Sequence, residues 1–375
     1  MNNAINVINE DIYHLKNGII NIKENKLNPK KFELKTQITE DSYINDTINN
    51  SFTVFNSINN VLYLIYSNKN KSIICHDLKN NKKLCEIKSY HNEYVSNLKH
   101  YLDNINKRDL IMSLSNKDSN IKLWNLYNWE CILNISSIYK TGNLFSACLL
   151  NHKNKYYIIT SNYKTQGDLE SIKIYDIDRN ETTEIKNSND TTFIIDTYYD
   201  KIKEKIYIIT GNKNDVKSYD FNNKELYHKY SDNDTNSHQS FEINEFNNEV
   251  NLFETSQGII RIWDFHSNIL LIFLDLNLIY KIFSSNFYYL IKIRVADNDL
   301  ISLFFWNNEY LMAGCFDKTN KFINLKKRIA EEILTGHSNI VNCIKKIHHP
   351  DYGDCLVSHG WKVDQIKLWV YNNKK

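Results

Sequence analysis

The sequence predicts an all-β fold, a seven-bladed β-propeller whose ring is closed by a strand near the N-terminus. Three observations predict it. A short apolar phrase recurs seven times, the steps between its copies are similar, and a second β-rich run precedes each copy. Four-stranded repeats of about 40–45 residues are typical of propellers, in which each repeat forms one blade.

The recurring phrase alternates apolar and polar residues and usually ends in an aromatic residue followed by Asp or Asn. Its copies are SIICHD (72–77), NIKLWN (120–125), SIKIYD (171–176), DVKSYD (215–220), IIRIWD (259–264), TNKFIN (319–324) and QIKLWV (365–370). The fifth residue of each copy is at position 76, 124, 175, 219, 263, 323 or 369, so the steps are 48, 51, 44, 44, 60 and 46 residues. This alternation predicts the third strand of each blade.

The predicted propeller is one domain over residues 31–375. Its blades cover approximately 51–88, 91–136, 144–187, 191–230, 238–274, 300–334 and 337–371. The step of 60 residues between Trp263 and Ile323 predicts an insertion at 275–299.

Two stretches near this insertion compete to be the fourth strand of blade 5: ILLIFL at 269–274 and LIKIRV at 290–295. The residues between them, about 273–290, are too apolar and aromatic for an ordinary surface loop. Three explanations stay open, and a hairpin packed on the rim is the favoured one. The others are an exposed site for a partner and translated sequence that is absent from the mature protein.

The last repeat supplies three strands before the sequence ends at Lys375. An unpaired sheet edge promotes aggregation, so we expect a fourth strand from elsewhere in the chain. The apolar positions Phe32, Leu34 and Ile38, with Thr36, alternate with polar residues. This period of two predicts a closing strand at 31–39 that pairs with the strand containing Trp369.

Residues 1–30 are predicted to form an N-terminal arm. Ile5, Ile8, Ile12, Leu15 and Ile19 are three or four residues apart, which predicts one face of a short helix. Such a helix either packs on the propeller or serves as a partner-binding arm. We expect the packed helix, because no heptad pattern continues beyond Ile19.

Few glycines and prolines are available for turns, since the chain contains 9 Gly and 2 Pro. Asn tolerates the left-handed backbone conformation, and its side chain hydrogen bonds to nearby backbone groups. The pairs Asn80–Asn81 and Asn222–Asn223 are therefore predicted to form tight turns.

Two repeats carry a fuller pattern: a His before the first strand, a Ser in the second strand, an Asp in the following turn and a Trp ending the third strand. The residues are His91, Ser113, Asp118 and Trp124 in blade 2, and His337, Ser358, Asp364 and Trp369 in blade 7. With these motifs the chain, over about 51–371, resembles the WD40 family of β-propellers. The resemblance implies that the four side chains form a structural hydrogen-bonded tetrad and not a catalytic site. In blade 7 the turn is one residue longer, and in other repeats His76, Tyr175, Tyr219 or Ile323 replaces Trp.

The resemblance also implies where a partner binds. Such propellers present a wide surface made of the turns between second and third strands and the loops between blades, which we call the upper face. The resemblance therefore suggests five candidate binding residues. Lys117 and Phe316 lie just before the turn Asp, Tyr94 and Asn339 lie where the chain enters the first strand, and Trp361 lies in the turn of blade 7. Aromatic side chains there can anchor a partner. Alternatively, Phe316 and Trp361 pack over neighbouring blades.

Composition and motifs limit the function. Lys plus Arg (46) nearly balances Asp plus Glu (44), so we expect neither a nucleic acid nor a membrane as partner. The glycines form no G-x-G, and G-x-S-x-G and H-E-x-x-H are missing, so no catalytic residue, cofactor or metal site is predicted. The seven cysteines include no C-x-x-C pair and are expected to be mostly small buried hydrophobic residues.

We therefore expect a non-catalytic scaffold that binds a protein or peptide, as a monomer or as a subunit of a larger complex. The N-terminus lacks the pattern of a secretory signal, which predicts an intracellular, cytoplasmic protein, with the nucleus left open. One alternative is a substrate receptor of a ubiquitin ligase, although Arg is missing two residues after each aromatic-Asp pair. Another is an enzyme on a propeller scaffold, which would need convergent carboxylates or His with shifted pKa values in the channel.

Overall fold

The computed structural model describes residues 19–21, 31–38, 52–136, 138–139, 144–162, 172–185, 191–231, 240–246, 249–256, 258–271, 292–294, 300–327, 329–361 and 364–372. Within these ranges the regular secondary structure consists entirely of β-strands. The predicted all-β fold is confirmed.

Seven antiparallel sheets follow one another along the chain, and in each sheet consecutive strands are hydrogen bonded. Blades 1 to 4 contain, in order, Phe52–Asn56, Leu62–Ser67, Ser72–Asp77 and Lys82–Lys88; Asn97–Asp103, Arg108–Ser115, Asn120–Asn125 and Glu130–Ile135; Leu144–His152, Lys155–Asn162, Ile172–Asp176 and Glu181–Glu184; Thr192–Asp200, Lys205–Asn212, Val216–Asp220 and Leu226–Tyr230. Blades 5 to 7 contain Ser240–Phe246, Glu249–Ser256, Ile259–Asp264 and Lys292–Arg294; Leu300–Asn307, Tyr310–Cys315, Asn320–Asn324 and Ile329–Leu334; Val341–His349, Gly353–Gly360, Ile366–Tyr371 and Phe32–Ile38.

The sheets form a closed ring around a central channel. First strands of neighbouring blades contact one another, including those of blades 7 and 1. Between blades 4 and 5 the link is a hydrogen bond of 2.6 Å from Tyr198 Oη to Glu245 Oε1. A hydrophobic cluster fills each of the seven interfaces between neighbouring blades, so the core is a ring of seven wedges. The predicted seven-bladed propeller is confirmed.

Sheets that pack on both faces also bury the polar positions of the recurring phrase. Lys122 and Lys367 are 7% and 3% exposed, although alternation would place them in solvent on a one-sided sheet. Lys367 Nζ donates to the Gly336 carbonyl at 2.6 Å, and burial lowers the pKa of this amine. The amine of Lys367 is thus buried together with a backbone carbonyl that satisfies it.

The predicted closing strand is present and completes blade 7. Phe32–Ile38 pairs antiparallel with Ile366–Tyr371, and Leu34 lies opposite Trp369. Phe32 and Ile38 are 3% and 5% exposed, and they join the clusters on opposite sides of the blade. An ion pair of 2.5 Å between Lys31 Nζ and Glu331 Oε2 also ties this strand to blade 6.

The fourth strand of blade 5 is interrupted. At one end of the third strand, Trp263 forms a bridge with Leu270, as expected of a direct hairpin. At the other end, Ile260 pairs with Ile293, whereas an uninterrupted hairpin would pair it with residue 273. The register is therefore displaced by 293 − 273 = 20 residues. Both competing stretches contribute to this strand, so blade 5 does not end at residue 274 and Lys292–Arg294 lies inside the range predicted as an insertion. Residues 272–291 lie outside the described residues.

Deletion of residues 272–291 tests this register. The deletion joins Leu271 to Lys292 and keeps every observed pairing with the third strand in place. We expect a folded protein whose melting temperature equals or exceeds that of the full chain, because a shorter connection costs less closure entropy. Differential scanning calorimetry measures the outcome. A control deletion of 272–290 retains one extra residue, which shifts Lys292–Arg294 by one position relative to the third strand, and this variant should melt at a lower temperature.

The predicted N-terminal helix does not include Ile19. Ile19–Asn21 is a strand that pairs parallel with Lys292–Arg294 and extends the sheet of blade 5 to five strands. The open edge of Lys292–Arg294 offers backbone hydrogen bonds, and β-branched Ile19 and Ile20 favour a strand. The other residues of the predicted helical face lie outside the described residues.

Residues other than Asn also occupy left-handed positions in the tight turns. Asn81 adopts the left-handed conformation, with φ of 49°, as predicted. In the turn of blade 4, however, Lys224 is left-handed and Asn222 and Asn223 are not. The left-handed residue is the fourth after Asp77 in blade 1 and the fourth after Asp220 in blade 4, so the turn geometry sets this position, and Asn occupies it in the first turn but not in the second.

Candidate functional site

The four tetrad residues of blade 7 form one buried hydrogen-bonded network. Ser358 Oγ is at its centre, 2.8 Å from His337 Nε2 and 2.8 Å from Trp369 Nε1, which donates to it. His337 Nδ1 lies 3.1 Å from Asp364 Oδ2. The longer turn therefore still brings Asp364 to the imidazole.

Blade 2 repeats this geometry. His91 Nε2 lies 2.9 Å from Ser113 Oγ, and Trp124 Nε1 donates to the same oxygen at 2.8 Å. Asp118 Oδ2 lies 3.5 Å from His91 Nδ1 and accepts a hydrogen bond of 2.8 Å from the Asn92 amide. The network thus links the loop before the first strand to the second and third strands of the same sheet.

Electrostatics favour charged carboxylates in both tetrads. Burial alone would raise the pKa of Asp118, but hydrogen bonds from His91 and from backbone amides outweigh it and hold the pKa below its ordinary value. Asp364 follows the same pattern, with His337 and the Gln365 amide as its main donors. Both imidazoles have fully buried side chains. Neither imidazole is therefore exposed to solvent, and the structural role that the WD40 resemblance implies for the tetrads stays a prediction.

Blades 3 and 4 use other side chains for the same task, which sequence reasoning missed. In blade 3, Tyr139 Oη lies 2.9 Å from Thr160 Oγ1 and stands where blades 2 and 7 have His. In blade 4, Asn212 Nδ2 donates to Asp215 Oδ1 at 2.8 Å within the turn. The available signals were a Tyr 21 residues before Thr160 in blade 3, and an Asp three residues after Asn212 in blade 4.

The five nominated binding residues all lie on the upper face. Lys117 and Tyr94 belong to blade 2, Phe316 to blade 6, and Asn339 and Trp361 to blade 7. Blade 1 lies between these groups, so blades 6, 7, 1 and 2 form one continuous arc, which we call the upper arc.

On the blade 1 and 2 side of the upper arc, cations and aromatic rings are adjacent. Lys71 Nζ lies 5.7 Å from the centre of the Tyr94 ring and donates to the Asn92 carbonyl. Lys117 is exposed in the neighbouring turn. Tyr90 is 72% exposed and adopts the left-handed conformation, with φ of 52°. An aromatic residue held in this conformation is strained, and such strain is common at binding sites.

On the blade 6 and 7 side, Phe316 is the more exposed aromatic residue. It is 48% exposed in a turn that is fixed by a hydrogen bond from the Thr319 amide to Asp317 Oδ1. Trp361 is half-buried, and its amide donates to the Ile340 carbonyl at 2.7 Å. The side-chain oxygen of Asn339 accepts a hydrogen bond from the Ile340 amide. This oxygen is therefore less available to accept a hydrogen bond from a partner.

The channel contains a charged cluster that four blades build together. Lys99 of blade 2 reaches past blade 3 and lies 3.3 Å from Asp196 Oδ2 of blade 4. Glu242 of blade 5 interacts electrostatically with both groups and with Lys345 of blade 7. Burial, with a further contribution from Asp196, raises the pKa of Glu242 to about 7. The sequence does not reveal this cluster, because its members are up to 246 residues apart.

Glu242 should make stability depend on pH. Its carboxyl binds a proton more tightly in the folded chain than at the ordinary value of 4.5, so its contribution to stability falls as pH rises from about 4.5 to about 7. We expect Glu242→Gln to melt at a higher temperature than the wild type at pH 8, with the difference vanishing near pH 5. Scanning fluorimetry over this range measures it, with Glu249→Gln on the neighbouring strand as control. A constant difference at all pH values would contradict the assignment.

Most exposed large apolar side chains lie on the lower face, which is made of the turns between first and second strands and between third and fourth strands. Among the described residues these are Ile58, Leu102, Ile105, Tyr127, Tyr199, Ile202, Leu226 and Tyr352. The upper face contributes Tyr90 and Phe316. Among the described residues, the lower face thus exposes more large apolar side chains than the upper face does, which the sequence analysis did not predict.

Searches against protein-family models and against curated proteins found no match for this chain. In the described part of the chain, no helix has the length and hydropathy needed to cross a membrane. The same residues contain no group of three or more His, Cys, Asp or Glu side chains placed to hold a metal ion.

Proposed function

We propose that this chain is a WD40-type propeller that acts as a non-catalytic scaffold and binds a protein or peptide partner on its upper arc. The observation that carries the proposal is the continuity of that arc. Side chains nominated from three separate repeats lie on one face of four consecutive blades, beside Lys71 and Tyr90, which the sequence did not nominate. The two buried tetrads support the WD40 assignment.

The chemistry of the upper arc favours an acidic partner. Lys117 and Lys318 are exposed in turns next to Tyr94 and Phe316, respectively. Aromatic rings supply apolar contact area at a small cost in side-chain entropy, and nearby amines pair with carboxylates or phosphates. The turns are held by backbone and Asx-type hydrogen bonds, so little conformational entropy is lost on binding.

Phe316→Ala and Trp361→Ala test the proposal. If these residues are anchors, each substitution costs about 2 kcal/mol of binding free energy, which weakens binding roughly 30-fold. The tagged full chain is expressed in its native cells, partners are recovered by affinity purification, and the amounts are compared by quantitative mass spectrometry. We expect both variants to lose the partner while their melting temperatures stay close to that of the wild type.

Tyr127→Ala is the matched control, because Tyr127 is an aromatic residue that is 86% exposed on the opposite, lower face. This variant should retain the partner. Loss of the partner in Tyr127→Ala together with retention in both upper-arc variants would move the binding site to the lower face. Loss in none of the three variants would contradict the proposal.

A second candidate function is catalysis in the channel, and it is favoured by Glu242. A carboxyl group with a pKa of about 7 is suited to general acid–base chemistry near neutral pH, and Asp196, Lys99 and Lys345 converge on it. Hydrolysis of chromogenic ester, phosphate and glycoside substrates by the wild type, lost in Glu242→Gln, would establish this function. A scaffold would show no turnover in either protein.

A further inference from the structure

Cys75 and Cys85 lie directly opposite each other in blade 1, on the paired third and fourth strands. Their side chains are on the same face of the sheet. Cys75 belongs to the hydrophobic cluster between blades 1 and 2, and Cys85 packs against that cluster. Both residues are free thiols, and their side chains share a hydrogen bond.

The spacing suits a covalent bond. Opposite residues on antiparallel strands have Cβ atoms roughly 4.5–5.5 Å apart. A disulfide needs a Cβ separation of roughly 3.5–4.5 Å, so a small shift of the outermost strand brings the two sulfurs together. A bulge beside Cys75, between Cys75 and His76, gives this strand pair the local freedom to adjust.

The two thiols differ in ways that suit two different roles. Cys75 is 1% exposed, and its hydrogen bond to Cys85, together with burial, raises its pKa far above the ordinary value. Cys85 is half-buried on the outermost strand, and the hydrogen bond from Cys75 and the nearby amine of Lys83 lower its pKa. An accessible thiolate reacts with oxidants, whereas a buried thiol beside it can resolve the product.

We propose that Cys75 and Cys85 form a redox modification site, in which a peroxide oxidises Cys85 and Cys75 then closes a cross-strand disulfide. The Cys85 thiolate attacks one oxygen of hydrogen peroxide, the O–O bond breaks, and after proton transfer sulfenic acid and one water are formed. The Cys75 sulfur attacks the sulfenic sulfur, the S–O bond breaks, and the Cys75 proton leaves with the hydroxyl as a second water. Two thiols are oxidised and one peroxide is reduced.

The remaining cysteines lack this arrangement. Cys131 is exposed on the outermost strand of blade 2, but it lies opposite Trp124, and Leu133 occupies the position that corresponds to Cys85. Burial raises the pKa of Cys131, which makes it a poorer nucleophile than Cys85. Cys343 and Cys355 share a sheet but lie opposite His359 and Ile347. Cys131 is therefore the natural internal control.

The test exposes the full-length reduced protein to one equivalent of hydrogen peroxide, blocks free thiols under denaturing conditions and maps the peptides by mass spectrometry without reduction. We expect a peptide pair linked through Cys75 and Cys85, lighter than the two reduced peptides by two hydrogen atoms. Cys131→Ser should leave the yield unchanged. Cys75→Ser should trap Cys85 as sulfenic acid, which dimedone labels, and Cys85→Ser should leave Cys75 fully blocked by the alkylating reagent.

Two results would overturn the proposal. One is oxidation of Cys85 no faster than oxidation of Cys131 in the wild type, where we expect a difference of roughly tenfold or more. The other is a Cys75 thiol that stays available for alkylation after peroxide treatment. Both measurements are made on the wild-type protein, so a variant that folds poorly cannot obscure them.

Discussion

Removal of residues 1–40 is expected to lower the melting temperature sharply and to make the protein aggregate at concentrations at which the full chain stays soluble. The truncation deletes Phe32–Ile38 and leaves the edge of Ile366–Tyr371 unpaired. Loss of burial of Phe32 and Ile38 alone costs about 3–6 kcal/mol. The backbone hydrogen bonds of seven residues and the ion pair between Lys31 and Glu331 are lost as well. Calorimetry and light scattering measure the two effects.

The control truncation removes residues 1–28 and keeps the closing strand. It also deletes Ile19–Asn21, but that strand has three residues and lies on the outside of a sheet that already has four strands. We therefore expect the shorter truncation to melt close to the full chain. If both truncations melt at the same temperature, ring closure by Phe32–Ile38 is not a main source of stability.

The closing strand could be predicted because two signals agreed. Alternation identified the strand, and counting strands in the last repeat identified the missing place. The interrupted strand of blade 5 could not be placed in the same way. Leu270 and Ile293 both lie in short apolar runs, and only the register of Ile259–Asp264 shows that each pairs with part of that strand. Local pattern gives the type of an element, but it does not give its partner.

The same limit applies to the candidate sites. The tetrads follow a repeated spacing, so their residues could be named from the sequence. The pair Cys75–Cys85 depends on strand register, and the channel cluster around Glu242 depends on which blades face each other across the ring. One sequence by itself offers no covariation that would reveal such contacts. Only the assembled propeller brings these groups together.

Gly360→Ala is expected to destabilise blade 7 strongly. A methyl group at this position would overlap the carboxylate of Asp364, which accepts hydrogen bonds from His337 and from the Gln365 amide. To make room, Asp364 has to leave the network, and a buried imidazole loses its partner. An unsatisfied buried polar group and a displaced turn together cost about 3 kcal/mol or more. The free energy of unfolding in urea measures the loss.

Gly353→Ala separates this overlap from the general effect of replacing glycine. Gly353 begins the same strand and has φ of 73°, and no atom lies within 4 Å of the position that its Cβ would occupy. Alanine there costs only the left-handed backbone strain, about 1–2 kcal/mol. Gly360→Ala should therefore be clearly less stable than Gly353→Ala. The opposite order would mean that Asp364 can move at little cost, and that the blade 7 tetrad depends on Ser358 and Trp369 rather than on the turn carboxylate.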